Sequence, residues 1–166
     1  MARLFIKAKD VEEKDSFQIF NQSGKPLYYT KDEFLATGHR IKIFLAETIS
    51  EAAYVQEKEA RGRSRFEFCA RGDFGTIERD MMSLQPKYTI DYNNWLIAGD
   101  AIGWNYQVRL GVLPIMTVRK MPYLIPGQAL NITDTYILDI PSDSDVLIAL
   151  SFALALYALN KYNRRY

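Results

Sequence analysis

Apolar side chains recur at every second position through most of the chain: Phe17 and Ile19, Ile41 and Ile43, Phe66 and Phe68, Tyr88 and Ile90, Tyr106 and Val108, then Tyr136, Leu138 and Ile140. A period of two turns one side of an extended segment toward a core and the other toward water, so these runs predict half-buried strands up to about residue 140. Turn-forming groups separate them: Asn21-Gln22-Ser23-Gly24, Arg71-Gly72-Asp73, Asp91-Tyr92-Asn93-Asn94, and the stretch from Gly99-Asp100 to Gly103. Charged clusters at Lys31-Asp32-Glu33, Glu57-Lys58-Glu59, Glu78-Arg79-Asp80 and Arg119-Lys120 are each followed by renewed alternation, near Ile41, Phe66, Tyr88 and Tyr136. This echo predicts hairpins in series, an antiparallel meander building one sheet. In its last unit Pro122, Pro126 and Gly127 mark an inserted loop.

The pattern changes after residue 140. From Val146 to Leu159 the chain is apolar except for Ser151, is rich in Ala and Leu, and has no Gly or Pro, which predicts a helix. Ser142 with Asp145 has the spacing of a capping box, and Asp143 and Asp145 sit at the positive end of the helix dipole and Lys161, Arg164 and Arg165 at its negative end. A helix apolar on all sides must be enclosed. At ~1.5 Å per residue the apolar stretch spans about 20 Å, short of the ~30 Å hydrocarbon core of a bilayer. Enclosure by the chain's own strands is therefore expected, with no transmembrane span. Ala149, Ala153, Ala155 and Ala158 keep the helix thin enough to thread a narrow barrel.

At 166 residues, with 48% hydrophobic and 25% charged residues, the chain is expected to form one domain, 1–166, with its own core. A net charge of +1 gives no electrostatic basis for a nucleic-acid partner. The one cysteine, Cys69, excludes an intrachain disulfide and a Cys-rich zinc site, and points to a reducing, cytoplasmic setting. The N-terminal Met-Ala-Arg-Leu-Phe-Ile-Lys-Ala-Lys reaches charge before an apolar signal region forms.

Several of these residues carry a family resemblance: Leu4-Phe5-Ile6-Lys7, Pro86-Lys87-Tyr88-Thr89-Ile90, Trp95, Gly99-Asp100-Ala101-Ile102-Gly103-Trp104-Asn105-Tyr106, Val118-Arg119-Lys120, Asp134-Thr135-Tyr136-Ile137-Leu138-Asp139, and the helix from Asp145 to Leu150. In order and spacing the chain resembles the LURP-one-related family of the tubby C-terminal-like superfamily. It departs from the family pattern at Ala101, where an aromatic is usual, and at Tyr157-Ala158, where an acidic residue often follows the helix core. The resemblance implies a mainly β fold: a closed antiparallel barrel of twelve strands around a buried C-terminal helix.

Candidate chemistry is sparse. His39 has no second histidine with which to hold a metal and no nucleophile assigned by spacing, so a structural or solvated role is expected. Cys69, beside alternating aromatics, is expected to be a small core residue. Gly99 to Gly103 matches no phosphate-binding fingerprint and reads as a hairpin turn. Trp95 and Trp104, which flank it, are expected to pack on one another or into the core. No cofactor is implied, and no enzymatic activity is expected. The local charge feature is Lys58, Arg61, Arg63, Arg65 and Arg71, in which alternate arginines would share one face of a strand and could clamp an anion through guanidinium forks. Glu57, Glu59 and Glu67 lie close in sequence and favour a plainer reading, a solvated hairpin. Tubby-like relatives include phosphoinositide binders and phospholipid scramblases, so the resemblance implies a binding or scaffold domain with anionic phospholipid headgroups as candidate ligand and at most peripheral membrane contact. The cysteine-rich segment of scramblases is absent. The alternative is a protein-interaction module with a stress or defence role, acting through edge strands or the Pro122 to Gly127 loop.

Overall fold

The alternating segments become twelve antiparallel strands: β1 (Ala2–Ala8), β2 (Phe17–Phe20), β3 (Pro26–Leu35), β4 (Gly38–Leu45), β5 (Glu51–Ala60), β6 (Arg63–Ala70), β7 (Asp73–Asp80), β8 (Lys87–Asp91), β9 (Trp95–Asp100), β10 (Asn105–Leu110), β11 (Leu113–Met121) and β12 (Thr135–Ile140). One helix, α1 (Val146–Tyr162), follows a short 3-10 turn at Asp143–Asp145. The computed structural model describes residues 1–8, 16–36, 38–60, 63–80, 84–121 and 135–162. The Pro122 to Gly127 loop lies outside them.

The strands form a single twelve-stranded sheet in the order β8-β7-β6-β5-β4-β3-β2-β1-β12-β11-β10-β9. Neighbours in the chain pair with one another, as a meander requires, and the first and last strands close the circle, with Leu4 opposite Leu138 and Ile6 opposite Tyr136. The barrel is thus nearly closed. Its two edges, β8 and β9, are joined by the 92–94 turn but are not hydrogen-bonded neighbours. Both are short, and Lys87, Asp91 and Asp100 place charge along this seam, which discourages edge-to-edge association.

Alternation turns Ile41, Ile43, Val55, Phe66, Phe68, Ile77, Val108, Val118, Leu138 and Ile140 inward, all fully buried. The helix fills the space they surround, and packs chiefly against β5 and β6. Phe152 lies between Phe68, at 5.4 Å and edge-on, and Trp95, at 5.7 Å. Ala149, Ala153, Ala155 and Ala158 are fully buried, as a thin helix inside a barrel requires. The Ser151 hydroxyl, polar in this apolar setting, donates to the Ile148 carbonyl at 2.8 Å. By length and composition the segment Asp143–Tyr162 could cross a membrane, yet it forms the core.

One local expectation is corrected. The capping box does not form: Asp143–Asp145 coil into a 3-10 turn, and the Ser142 hydroxyl meets the Ser144 hydroxyl at 2.9 Å in place of a helix N–H. The helix runs on from the apolar stretch to Tyr162 with Lys161 in its last turn, and Asn160 and Tyr162 find polar and aromatic partners at the barrel end. The tryptophans both enter the core, but at opposite ends: Trp95 against Tyr92 at 4.6 Å, Trp104 stacked on Tyr136 at 3.9 Å.

Up-and-down connectivity gives the barrel two distinct ends. The odd-numbered strands finish where α1 finishes, which we term the exit end; the Asp143 carboxylate, 3.7 Å from the Met1 ammonium, marks the entry end.

Candidate functional site

Strand register decides what becomes of the basic cluster. Lys58 near the end of β5 lies directly across from Arg65 on β6, and Arg65 lies across from Glu78 on β7. These positions face outward, since Phe66 and Phe68 take the inner face. The Arg65 guanidinium is 3.7 Å from the Glu78 carboxylate, and its Nε is buried without a hydrogen-bond partner. Arg63 opens β6 opposite Ala60, at the exit end. Arg61 falls outside the described residues. Arg71 does not belong with the others: it sits at φ 51 beside Gly72 at φ 85, in the turn between β6 and β7. Six strand residues at ~3.3 Å each place it about 20 Å away, at the entry end.

The expected neutralising acids behave differently from one another. Glu57 is drawn toward the β3–β4 turn, where Oε2 accepts the His39 backbone N–H at 3.0 Å. Glu67 accepts the Tyr54 hydroxyl at 3.2 Å. The carboxylate that meets the arginine face is Glu78, two strands along the sheet from Glu57 in β5, and only the cross-strand register reveals it.

His39 is structural in its contacts. Its Nδ1 is 3.1 Å from Asp32 Oδ2, its ring stacks on Tyr162 at 3.6 Å, and Phe34 meets it edge-on at 4.9 Å. The Tyr162 hydroxyl donates to the same Asp32 oxygen at 3.4 Å, so this cluster ties the end of the helix to β3 and β4. Cys69 is not in the core: it lies on the outer side of β6, opposite Tyr54. Burial first, then Cys69 and Glu67, push the Tyr54 hydroxyl up to about 12. Asp100 accepts the Gly103 N–H at 3.0 Å, the hairpin role expected of it, with Gly99 at φ 104. His39, Cys69 and Asp100 therefore do not converge. Among the described residues no group of three or more His, Cys, Asp or Glu could hold a metal ion.

The exit end also holds a cleft that sequence reading missed, of about 230 Å³, between the β9–β10 turn, β11, β12 and the last turns of α1. Trp104, Tyr136 and Tyr157 supply aromatic surface, and Lys120 and Lys161 supply ammonium groups. Lys120 is there because it pairs in register with Tyr136. Lys161 is there because it lies one helical turn beyond Tyr157, whose hydroxyl accepts from its Nζ at 3.2 Å. Asn160 lines the cleft with its Oδ1 occupied by the Tyr88 hydroxyl at 2.7 Å and the Arg79 guanidinium at 3.3 Å. Ala101 and Tyr157, both departures from the family pattern, are lining residues. The signal in the sequence was the i, i+4 spacing of Tyr157 and Lys161, legible only once β11 and β12 are in register.

Twelve antiparallel strands in up-and-down order, wound into a nearly closed barrel round a C-terminal helix, define the class of fold. Residues 2–157 match the LURP-one-related family, and the chain belongs to it. The uncharacterized protein YxjI of Bacillus subtilis (strain 168) is 25% identical over 157 residues, covering 94% of this chain and 92% of that protein. An X-ray structure of a protein from Arabidopsis thaliana shares the fold with a TM-score of 0.60 at 12% identity, covering 98% of this chain and 91% of that one.

Proposed function

We propose that the chain is a non-enzymatic binding domain that meets anionic phospholipid headgroups, at the cytoplasmic face of a membrane, through the exit end of its barrel. The observation that supports this reading is that the connectivity gathers Lys58, Arg65, Lys120 and Lys161 at that end, although they are scattered in sequence. Ammonium and guanidinium groups on one rim make an electrostatic face for phosphate, while the helix occupies the inside of the barrel. Superfamily analogy points the same way, as a weaker warrant. Flotation with neutral and with phosphoinositide-containing liposomes tests the reading. Binding only to the latter, reduced by K58A/R65A, is the expected result; equal, negligible binding to both would remove it.

A second reading, a protein-interaction module, is favoured by a different surface. At the entry end the β10–β11 hairpin exposes Leu110, Val112 and Leu113, with Val112 95% accessible. A partner captured equally by the wild type and K58A/R65A, but lost by V112D, would support this reading over the headgroup one.

A further inference from the structure

Every turn of the entry end, at 21–25, 46–50, 71–72, 92–94 and 111–112, and the segment 141–145 that leads into α1, belongs to the described residues. On the sector from β7 to β11 large apolar side chains stand in water: Phe74 and Leu96 are each 64% exposed, and Leu110, Val112 and Leu113 follow them along the rim. Register makes them neighbours. Leu110 lies opposite Trp95, the residue before Leu96, on one side and opposite Leu113 on the other. Phe74 stands two residues before Thr76, the partner of Asp91, and so beside the 92–94 turn. Tyr92 is laid against β7 because residue 75 is glycine: a Cβ there would come within 2.7 Å of Tyr92 Cβ.

The charge around this surface is acidic. Asp73 and Asp91 are exposed, and Asp143 and Asp145 follow β12 in the 3-10 turn. Burial pushes the Tyr92 hydroxyl up, and Asp73 and Asp145 stand close enough to raise it further. Of the cations at this end, Arg71 is near enough to Tyr28 of β3 for its charge to act on that hydroxyl, Arg109 donates to Gln107 on the outer face of β10, and the Met1 ammonium stands 3.7 Å from Asp143. Contiguous apolar side chains in water mark an interaction surface, and charge at their edge selects the sign of what docks there.

We propose that this sector is the docking surface for a cationic amphipathic segment of a partner protein. Apolar side chains of the segment cover Leu96, Leu110, Val112 and Leu113, and its lysine or arginine lies beside Tyr92, within reach of the Asp73 and Asp145 carboxylates. Apolar burial supplies the affinity, and the carboxylates supply the preference for positive charge. The same carboxylates oppose an anionic bilayer and the like end of a second copy, which leaves a basic polypeptide as the occupant. Such a partner gives the protein-interaction reading, on which it rests, its chemistry.

The test uses the full chain labelled with nitrogen-15 and, as probe, a synthetic two-heptad peptide of repeating Lys-Leu-Ala-Lys-Leu-Ala-Lys, beside a counterpart with every lysine replaced by glutamate. The lysine peptide is expected to shift the amide resonances of Leu96 and Val112 saturably while the indole N–H of Trp104, at the exit end, stays fixed. Its affinity should fall about tenfold in V112S and about tenfold in D73N, and the glutamate peptide should leave every resonance in place. Fixed Leu96 and Val112 resonances, equal shifts at Trp104, or binding that ignores V112S would overturn the surface. Binding that V112S weakens but D73N does not, matched by the glutamate peptide, defeats the cationic partner and leaves the protein-interaction reading standing. Flotation with phosphatidylglycerol vesicles that V112S abolishes would assign the surface to a membrane and overturn the proposal.

Discussion

At the scale of single residues, the barrel separates polar groups that hold the fold from groups that the fold merely tolerates. Tyr106 is the clearest of the second kind: it points inward from β10, is 4% exposed, and its hydroxyl is buried without a hydrogen-bond partner. Burial drives that hydroxyl well above the ordinary tyrosine range. Leaving such a group unsatisfied costs about 1–3 kcal/mol. Tyr106→Phe keeps the ring and removes the penalty, so its urea unfolding midpoint should equal or exceed that of the wild type; a marked fall would show that the hydroxyl has a partner in solution. His39 is the converse case. Nothing in its sequence neighbourhood indicated Tyr162, more than a hundred residues away, yet ring stacking and the shared Asp32 carboxylate make it the tie between the helix end and the barrel wall.

At the scale of elements, the helix was the most legible feature. A stretch with no polar side has one physical outcome in water, and its alanines stated the space available. The strands were legible as strands for the same kind of reason, since a two-residue period is local. Register is not local. That Arg65 faces Glu78 and that Lys120 stands beside Tyr136 depend on which residue sits opposite which, whereas Arg71 lies at the far end of β6 by strand length alone. The five-residue cluster read from sequence therefore divides, while a cleft drawn from β9–β10, β11, β12 and α1 went unseen. The cap failed for another reason: Asp143–Asp145 satisfy their backbone by a tighter turn, with the Asp145 N–H donating to the Ser142 carbonyl at 3.0 Å. Strands and helix share one core. Phe152, fully buried between Phe68 and Trp95, should cost about 3–5 kcal/mol on replacement by alanine, read as a loss of unfolding free energy. A loss under about 1 kcal/mol would mean that the helix is not packed in the barrel.

At the scale of the whole molecule, folding desolvates phenol groups from several parts of the sheet at once. Burial raises the hydroxyls of Tyr28, Tyr88 and Tyr92 above the ordinary 10.0, as it does those of Tyr54 and Tyr106. In each case the folded chain keeps a proton that the unfolded chain releases. The associated stability is complete below the unfolded value of 10.0 and declines as pH rises through the folded values, reaching about 12 at Tyr54. Unfolding midpoints should thus be insensitive to these groups below about pH 10 and fall steeply above it, with tyrosinate absorbance lagging behind that of the denatured chain. A tyrosinate titration identical in folded and denatured protein would contradict this.

All of this presumes that α1 lives inside the sheet and leaves the exit end as the working surface. Hydrogen exchange of the amides of residues 147–159, followed with and without phosphoinositide vesicles, addresses that directly. The barrel predicts protection in plain buffer as strong as that of the central strands, unchanged by vesicles. Rapid exchange in buffer that slows only when lipid is present would place the helix in the membrane instead.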